Sequence, residues 1–468
     1  MTQPKDIQKI YFIGIGGIGM SSLARYFLAQ GKKVSGYDKT ETDLTKKLVK
    51  EGIPVHYTDD PSLAPKDAEW IVYTPAIPKG HKELKFYTEN GYTILKRSEV
   101  LGEITKSSFN ICVAGTHGKT TVTTMIAHIL RDSGYGCNAF LGGIAVNYDS
   151  NFWSSQSNVC VVEADEYDRS FLKLSPDIAV ITAMDPDHLD IYGSGQAVEE
   201  AFIEFSGRLK RGGLLIRKWG LKREEELMAS RHISYGVGNL GGDIYADRIE
   251  MDRGTYRFDV QSAEWSLKNV RLTMGGLHNV ENSVAAIAAA HELRITDDKI
   301  RNAIAGFKGV KRRFEYVIPP NDQKNEKGKL VFIDDYAHHP EELRALISGA
   351  RQLFPDQMIT IIFQPHLFSR TRDFADGFAK SLDLADQVAL MPIYPARELP
   401  IEGVGSGLIL GKMKIKKKRI LDREEMLAWI KNEFMKEVKE KPGVLITAGA
   451  GDIDNLVEPI ADILKKTN

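Results

Sequence analysis

The stretch ICVAGTHGKTTVTTM at residues 111–125 constrains the fold more than any other feature of this chain. An apolar run leads into a turn bracketed by Gly115 and Gly118, and Lys119 and Thr120 then open a helical pattern. This order matches a phosphate-binding P-loop, although the turn is shorter than the usual one. Backbone N–H groups, a helix N-terminus and Lys119 would converge on one anionic group, so the stretch predicts a nucleoside triphosphate site. The alternative is an N-capped helix after a glycine turn.

Two acidic stretches are expected beside that loop, because open α/β sheets place their ligands at the carboxyl ends of the strands. One apolar run ends in EADEYD at residues 163–168, and another ends in DPDHLD at residues 185–190. Thr120 carries a hydroxyl where a P-loop presents one to magnesium, and such a density of acids favours a cation site. His188, the one imidazole of the second stretch, could complete the ligands of a metal. Solvated loop acids are the alternative.

A second glycine motif lies near the N-terminus. Gly14, Gly16 and Gly19 follow a strand pattern and precede a helix pattern, and Asp38 ends the next strand pattern. These residues fit a dinucleotide fingerprint, in which glycines let backbone N–H groups approach a pyrophosphate and the acid holds a ribose. The motif requires only some pyrophosphate ligand, so NAD, FAD and a UDP-sugar all remain open, as does a purely structural turn.

The chain is predicted to fold into three α/β domains, because 468 residues exceed one ordinary core. Strand and helix patterns alternate in three successive series. We assign residues 1–107 to a Rossmann-like domain, residues 108–313 to a P-loop ATPase-like domain with added antiparallel strands, and residues 314–468 to a second Rossmann-like domain.

The composition argues against several classes of partner. Apolar residues make up 43% and charged residues 27%, and the net charge of -1 offers no global field for nucleic acid or anionic lipid. No apolar run approaches the roughly 20 residues that span a bilayer, and the N-terminus lacks the apolar core of a signal peptide. We therefore expect a cytoplasmic protein with no nucleic-acid or membrane partner, either a monomer or a weak homodimer.

Further candidate ligands stand later in the chain. His278, Asn279 and Asn282 begin an alanine-rich helix pattern, where amides could cap the helix or read an adenine edge. Arg312 and Arg313 could hold a phosphate, with a solvated basic face as the alternative. Polar residues also stand at the ends of two later strand patterns, and the guanidinium groups among them suit a carboxylate. These residues are Asp334, Tyr336, His338, Arg370 and Arg372.

Together these motifs resemble the Mur ligases, the ATP-dependent amide-forming enzymes of peptidoglycan synthesis. The resemblance covers essentially the whole chain, and the shortened P-loop belongs to the family's pattern. The motifs stand in the family's order: FIGIGGIGMSSLA, AGTHGKTT, EADEYDRSFL, DPDHLDIYG, LHNVENSVAA, VKRRFE, DDYAHHP, FQPH with SRTRDF, and YPARELPIEGV. The last of them resemble the alanine-adding branch. This implies an enzyme that joins L-alanine to the lactyl carboxylate of UDP-N-acetylmuramate, with ATP and Mg²⁺ as cofactors.

The resemblance also implies roles for single residues. ATP would be bound by Gly115, Thr116, His117, Gly118, Lys119, Thr120, Thr121, His278, Asn279, Asn282, Arg312, Arg313 and Asp334. Magnesium would be held by Thr120, Glu163 and His188. The UDP portion would be held by Gly16, Gly17, Ile18, Gly19 and Asp38. The incoming amino acid would be surrounded by Tyr336, His338, Arg370 and Arg372. The catalytic residues would be Lys119, Glu163, His188, His338 and Arg370.

The implied reaction has two steps. The lactyl carboxylate attacks the γ-phosphate of ATP, and the amine of L-alanine then attacks the acyl-phosphate and expels phosphate. Magnesium and Lys119 would offset the repulsion between the two anionic reactants.

Two positions differ from the wider family. Leu367 stands where many members carry a basic residue, so the carboxylate grip would rest on Arg370 with Arg372. Phe202 stands near the place of a carbamylated lysine in other Mur ligases, an absence shared by the alanine-adding branch. Three alternatives remain: a ligase that recycles a ready-made tripeptide onto UDP-N-acetylmuramate, an NAD-dependent oxidoreductase based on the first glycine motif, and a nucleotide-gated binding protein without catalysis.

Overall fold

The structure is a computed structural model that describes residues 3–186, 189–238, 241–252, 254–320, 329–396 and 398–466. Its contacts divide the chain into two compact units. The first comprises residues 1–247, 259–270 and 281–307, and the second comprises residues 248–258, 271–280 and 308–468.

A five-stranded parallel sheet forms the N-terminal part of the first unit. Its strands are β1 (Lys9–Ile13), β2 (Lys33–Tyr37), β3 (Val55–His56), β4 (Trp70–Tyr73) and β5 (Thr93–Lys96). Its helices are α1 (Ile18–Ala29), α2 (Asp43–Lys50), α3 (Lys82–Glu89) and α4 (Arg97–Ser107). The strand order is β3-β2-β1-β4-β5, and all pairs are parallel. The first glycine motif therefore joins β1 to α1 where the strand order reverses, the usual place for a ligand in an open α/β sheet.

A ten-stranded sheet forms the centre of the chain. Its strands are β6 (Phe109–Ala114), β7 (Asn138–Ala145), β8 (Ser150–Trp153), β9 (Val159–Glu163), β10 (Ile178–Ile181), β11 (Leu214–Lys218), β12 (Arg231–Val237), β13 (Ile244–Asp252), β14 (Thr255–Ser262) and β15 (Ser266–Leu272). Its helices are α5 (Lys119–Asp132), α6 (Leu189–Tyr192), α7 (Gly195–Ser206), α8 (Leu277–Glu292) and α9 (Asp297–Gly306). The strand order is β15-β14-β13-β12-β11-β10-β6-β9-β7-β8.

The P-loop joins β6 to α5, and β6 lies between β9 and β10 in parallel register. Residues 109–114, 159–163 and 178–181 are almost wholly buried apolar runs, as expected for strands covered on both faces. Their carboxyl ends meet at one edge of the sheet. Residues 163–168, and residues 185–186 of the second acidic stretch, thus follow strands that lie on either side of β6.

A third sheet belongs to the second unit. Its strands are β16 (Glu315–Ile318), β17 (Leu330–Asp335), β18 (Met358–Phe363), β19 (Gln387–Leu390), β20 (Lys418–Ile420) and β21 (Gly443–Ala448). Its helices are α10 (Pro340–Leu353), α11 (Phe368–Leu382), α12 (Ser406–Lys412), α13 (Arg423–Trp429), α14 (Met435–Glu440) and α15 (Val457–Lys466). The order is β16-β17-β21-β18-β19-β20, and every pair is parallel except β16 with β17.

The predicted fold class is confirmed: the chain is α/β with a Rossmann-like first sheet, a central sheet with added antiparallel strands, and a Rossmann-like last sheet. The β7 and β8 pair is antiparallel. Neighbouring β13, β14 and β15 are joined by turns too short for a parallel crossover. Within the described ranges, no helix combines the length and the apolar character that crossing a membrane would need.

Phe202 packs in the apolar core of the first unit. Its side chain is fully buried, and its ring meets Phe171 edge-on with centroids 5.3 Å apart. Phe205 stacks on the same Phe171 ring. The place where other Mur ligases would carry a modified lysine is therefore filled by an aromatic cluster in this chain.

Candidate active site

The backbone of the P-loop depends on two glycines in conformations that other residues rarely adopt. Gly115 has a φ of 143° and Gly118 a φ of 81°, values that L side chains rarely adopt. A Cβ atom at Gly115 would also fall on the Thr182 hydroxyl. The Thr116 N–H donates to the Ala183 carbonyl at 3.2 Å, which ties the loop to the chain that leaves β10. The loop geometry is therefore set jointly by its glycines and by the neighbouring strand.

Lys119 points its ammonium group back over this loop. Its Nζ atom donates to the Gly115 carbonyl at 2.6 Å and to Glu166 Oε1 at 2.7 Å. The Glu166 side chain is only 1% exposed. Burial raises the pKa of Glu166, and the adjacent Lys119 charge opposes that rise. A buried carboxylate with a cationic partner strongly resists separation, so Glu166 fixes Lys119 beside the loop.

Glu163 and Thr120 lie together at the N-terminus of α5. The Thr120 hydroxyl donates to Glu163 Oε1 at 2.9 Å, and the Gly142 N–H donates to Glu163 Oε2 at 2.8 Å. Burial raises the pKa of Glu163, opposed first by the Lys119 charge. A Cβ atom at Gly142 would fall directly on this carboxylate. Gly142 therefore leaves the space in which Glu163 reaches Thr120.

The Thr120 hydroxyl and the Glu163 carboxylate are groups of the kind that could hold magnesium. Mg²⁺ in nucleotide sites is bound by one or two protein groups together with substrate phosphates and water. Across the residues that the structure describes, no group of three or more His, Cys, Asp or Glu side chains gathers as a metal cage. His188, the third predicted ligand, lies outside the described residues.

The other predicted P-loop residues differ in accessibility. His117 is exposed, whereas the Thr121 side chain is buried within α5. Asn282, in α8, lies beside the loop, because a Cβ atom at Gly118 would stand 2.8 Å from its Oδ1 atom. The structure therefore brings Asn282 to the P-loop and gives His117 access to solvent.

The first glycine motif is stabilised by the acid that follows β2. Asp38 Oδ2 accepts a hydrogen bond from the Gly16 N–H at 2.8 Å, and its Oδ1 accepts one from the Thr40 N–H at 3.2 Å. The Gly16 amide, predicted to face a pyrophosphate, is thus bonded to Asp38 in this structure. Gly17 is the N-cap of α1, which begins at Ile18, and the first turn of that helix offers N–H groups to an anion.

A cavity of about 200 Å³ lies between the first glycine motif and Glu163. It is lined by Gly19 and Ser22 of α1, by Arg97 of α4, and by Gly142, Glu163 and Asp165. Sequence reasoning missed Arg97, Gly142 and the role of Glu166, although Glu166 stood in the acidic stretch. Their importance depends on contacts between distant segments that no local motif records.

In the second unit, Asn279 is buried and His278 is exposed at the start of α8. The Asn279 side-chain amide donates to the Gly275 carbonyl at 2.6 Å, and a Cβ atom at Gly276 would meet the His278 ring. The Asn279 side chain therefore ties the start of α8 to the turn that precedes it.

Arg312 and Arg313 lie close to the Tyr336 ring. Their guanidinium carbons are 5.1 and 5.5 Å from the ring centroid. Arg312 Nε is also 3.3 Å from Asp334 Oδ2. The Tyr336 N–H donates to the Arg312 carbonyl at 2.8 Å. Two cations are thus gathered at the end of β17, as a phosphate or carboxylate site would need.

Asp334, which was predicted to approach ATP, is buried at the end of β17. It is 1% exposed, and its Oδ1 accepts a hydrogen bond from the Thr447 hydroxyl at 2.6 Å. Burial raises the pKa of Asp334 to about 7, against the opposing effects of Arg312 and the Thr447 bond. The Asp334 carboxylate therefore lies between Arg312 and Thr447 of β21, where it pairs with the Arg312 guanidinium group.

His338, His366 and Arg370 form a second polar group. The His338 and His366 ring centroids are 6.2 Å apart, and His366 stacks on Tyr394. Burial lowers the pKa values of both histidines, and the Arg370 charge adds to this for His366. Arg370 Nη1 and His366 Nδ1 are buried and have no hydrogen-bond partner within the described ranges. Because unpaired buried polar atoms are costly, a carboxylate ligand would suit this place.

Arg372 is not brought to that group. It is exposed, and its Nε atom donates to the neighbouring Asp373 at 2.7 Å. Residues two apart on a helix do not face each other, so Arg370 and Arg372 of α11 serve different surfaces. Leu367 is the N-cap of this helix with a φ of 70°, and its N–H donates to the Tyr394 carbonyl at 2.9 Å. Of the two arginines predicted to surround the amino acid, Arg370 therefore lies with the two histidines, whereas Arg372 is exposed.

Comparison with known proteins gives a consistent result. Three family profiles match in order: "Mur ligase family, catalytic domain" over residues 9–109, "Mur ligase middle domain" over 113–290, and "Mur ligase, glutamate ligase domain" over 312–451. UDP-N-acetylmuramate–L-alanine ligase from Cytophaga hutchinsonii is 47% identical, with 97% of this chain and 96% of that protein covered. The enzyme of the same name from Flavobacterium johnsoniae is 46% identical, with 98% and 99% covered.

Solved structures agree with the sequence comparisons. The UDP-N-acetylmuramate–alanine ligase of Thermotoga maritima superposes with a TM-score of 0.81 at 28% identity, with 98% of this chain and 100% of that chain covered. A murein peptide ligase from Psychrobacter arcticus has a TM-score of 0.67 at 22% identity, with 98% and 99% covered, and shows the same fold.

Gly142→Ala should abolish stabilisation by Mg·ATP, because the added methyl group displaces Glu163 from Thr120. A single-site ligand at about 100 times its Kd stabilises a protein by about 2.7 kcal/mol, and the variant should lose most of this. Thermal unfolding with and without Mg·ATP measures it. Gly80→Ala is the matched control, since nothing lies within 4 Å of its added Cβ. Equal stabilisation of the two variants would contradict the role given to Glu163.

Asp334→Asn should change how stability depends on pH. The pKa of Asp334 rises from 3.8 to about 7 on folding, so its contribution to stability is present below 3.8 and is lost as the pH rises through 7. The melting temperature of the variant should therefore improve relative to wild type between pH 5 and pH 8. A constant difference across this range would show that Asp334 titrates normally.

Proposed function

Since the chain belongs to the Mur ligase family, we infer that it is the ATP-dependent ligase that joins L-alanine to the lactyl carboxylate of UDP-N-acetylmuramate. The reaction passes through an acyl-phosphate and yields UDP-N-acetylmuramoyl-L-alanine, ADP and phosphate for peptidoglycan synthesis. The observation that carries this conclusion is the 46–47% identity to alanine ligases over nearly the whole chain. Membership of this family removes the oxidoreductase alternative.

The P-loop provides the charge needed for the first step. Lys119 would offset the repulsion between the substrate carboxylate and the γ-phosphate, and Glu166 holds it in place. Thr120 and Glu163 would hold Mg²⁺. When bound, this ion supplies further positive charge to the transferring phosphoryl group. Asn282, which lies beside Gly118, would contribute to the nucleotide site.

The amino acid would be recognised by the second polar group. Arg370 Nη1 and His366 Nδ1 would bind the alanine carboxylate, which would satisfy two buried atoms. His338 Nδ1 lies 2.9 Å from the Tyr336 carbonyl, so that nitrogen carries the proton of the neutral ring. Its Nε2 atom is then an acceptor for a proton from the alanine ammonium group. The lowered pKa of His338 keeps the ring neutral and available for this transfer.

The remaining assignments complete this proposal. The first sheet, within residues 1–107, would hold the UDP portion at the N-terminus of α1, where Gly17 and Ile18 begin the helix. Residues 108–313 would form the ATP-binding domain and residues 314–468 the amino-acid-binding domain.

The test is phosphate release from ATP in the presence of magnesium and UDP-N-acetylmuramate, with either L-alanine or the L-Ala-γ-D-Glu-diaminopimelate tripeptide as acceptor. We expect release that requires L-alanine, with the coupled product confirmed by mass. Release only with the tripeptide would instead identify a recycling ligase.

Lys119→Ala in the same assay should lower turnover by about three orders of magnitude or more, because a preorganised charge at the transferring phosphoryl group is lost. Lys85→Ala is the control, since that lysine is an exposed helix residue. Unchanged circular dichroism would show that both variants fold. Turnover retained by Lys119→Ala would contradict the phosphate role.

A further inference from the structure

Arg97 is the only cation among the described residues that line the cavity between the first glycine motif and Glu163. Two carboxylates, Glu163 and Asp165, line the same cavity. A substrate carboxylate that enters this space would meet negative charge from both of them. Arg97 is therefore the side chain whose positive charge could offset these carboxylates and allow an anion to bind in the cavity.

The position of Arg97 is unusual for a helix residue. It is the first residue of α4, where a positive charge opposes the helix dipole. Its role is thus not to stabilise the helix. The guanidinium group lies over α1 instead, because a Cβ atom at Gly19 would stand 2.5 Å from Arg97 Nη1. The third glycine of the first motif is needed here to make room for Arg97.

Asp165 is only a weak electrostatic partner of Arg97. Its Nη2 atom is 3.7 Å from Asp165 Oδ2, a distance at which charge attracts but no hydrogen bond forms. Both side chains are partly exposed, at 24% and 44%. The N–H groups of the planar guanidinium group are therefore not used by Asp165, and their paired arrangement suits a carboxylate.

We propose that Arg97 binds the lactyl carboxylate of the sugar-nucleotide substrate and holds it in the cavity beside Glu163. This inference rests on the proposed function, because only that reaction brings a carboxylate to the γ-phosphate. The pyrophosphate has a separate place at the N-terminus of α1, which begins at Ile18. The lactyl carboxylate must lie farther from this helix end, near Thr120 and Glu163, and Arg97 lines the cavity between these two places.

The experiment compares two ligands that differ at the lactyl group. UDP-N-acetylmuramate carries it and UDP-N-acetylglucosamine lacks it, so their affinities separate carboxylate binding from pyrophosphate binding. Calorimetric titration of Arg97→Ala should show about a 10- to 100-fold loss of affinity for UDP-N-acetylmuramate and less than about a 2-fold loss for UDP-N-acetylglucosamine. Arg97→Lys should recover part of the loss, since it restores charge without the fork.

Two further variants separate ligand binding from structure. Asp165→Asn keeps an acceptor for the Tyr167 N–H and removes the charge beside Arg97. It should bind UDP-N-acetylmuramate within about 3-fold of wild type, because a direct contact to the ligand outweighs a partly exposed ion pair. Arg208→Ala, which removes an exposed arginine paired with Glu204, should leave both affinities unchanged.

Three results would overturn the inference. An equal loss for both ligands in Arg97→Ala would assign Arg97 to the pyrophosphate, and no loss would remove it from the site. A loss in Asp165→Asn as large as that in Arg97→Ala would make Arg97 a structural partner of Asp165. Wild-type protein that binds neither ligand would instead overturn the proposed function, and this inference with it.

Discussion

The buried ion pair between Lys119 and Glu166 is the interaction on which the proposed site depends. It joins the segment that follows β9 to the N-terminus of α5, and it fixes a cation beside the Gly115 carbonyl of the P-loop. The Thr120 to Glu163 hydrogen bond joins the same two segments a second time, with Thr120 one residue after Lys119 and Glu163 three residues before Glu166. Three adjacent parallel strands are what bring these groups together, because their carboxyl ends share one sheet edge.

The polar group of the second unit is characterised by buried atoms rather than by an ion pair. Its site holds buried polar atoms without partners, on Arg370 and His366, within the part of the chain that the structure describes. Asp334, at the end of β17 in the same unit, has partners: it accepts a hydrogen bond from the Thr447 hydroxyl and lies 3.3 Å from Arg312 Nε. Buried polar atoms without partners, such as those on Arg370 and His366, are what a preorganised carboxylate site would offer.

Local patterns predicted most of the fold and the centre of the site. The strands at β6, β9 and β10, the P-loop and its flanking acids were all readable, because buried apolar runs and glycine turns are local signals. The edge strands β16 and β20 and the β7–β8 hairpin were not predicted, since short edge strands carry weak patterns. Arg97 and Gly142 were missed because their roles arise only where distant segments meet. The burial of Asp334 against β21 was also missed, because contacts between distant strands cannot be read from residue order.

The most direct test of this account is whether the Thr120 hydroxyl makes nucleotide binding depend on magnesium. Binding of the non-hydrolysable analogue AMP-PNP would be measured by calorimetry, with Mg²⁺ and with EDTA, for wild type and for Thr120→Val, which keeps the shape and removes the hydroxyl. We expect wild type to bind about 10-fold or more tightly with Mg²⁺, and the variant to lose most of that difference while keeping its Mg²⁺-free affinity. The same magnesium dependence in both proteins would contradict the site described for Thr120 and Glu163.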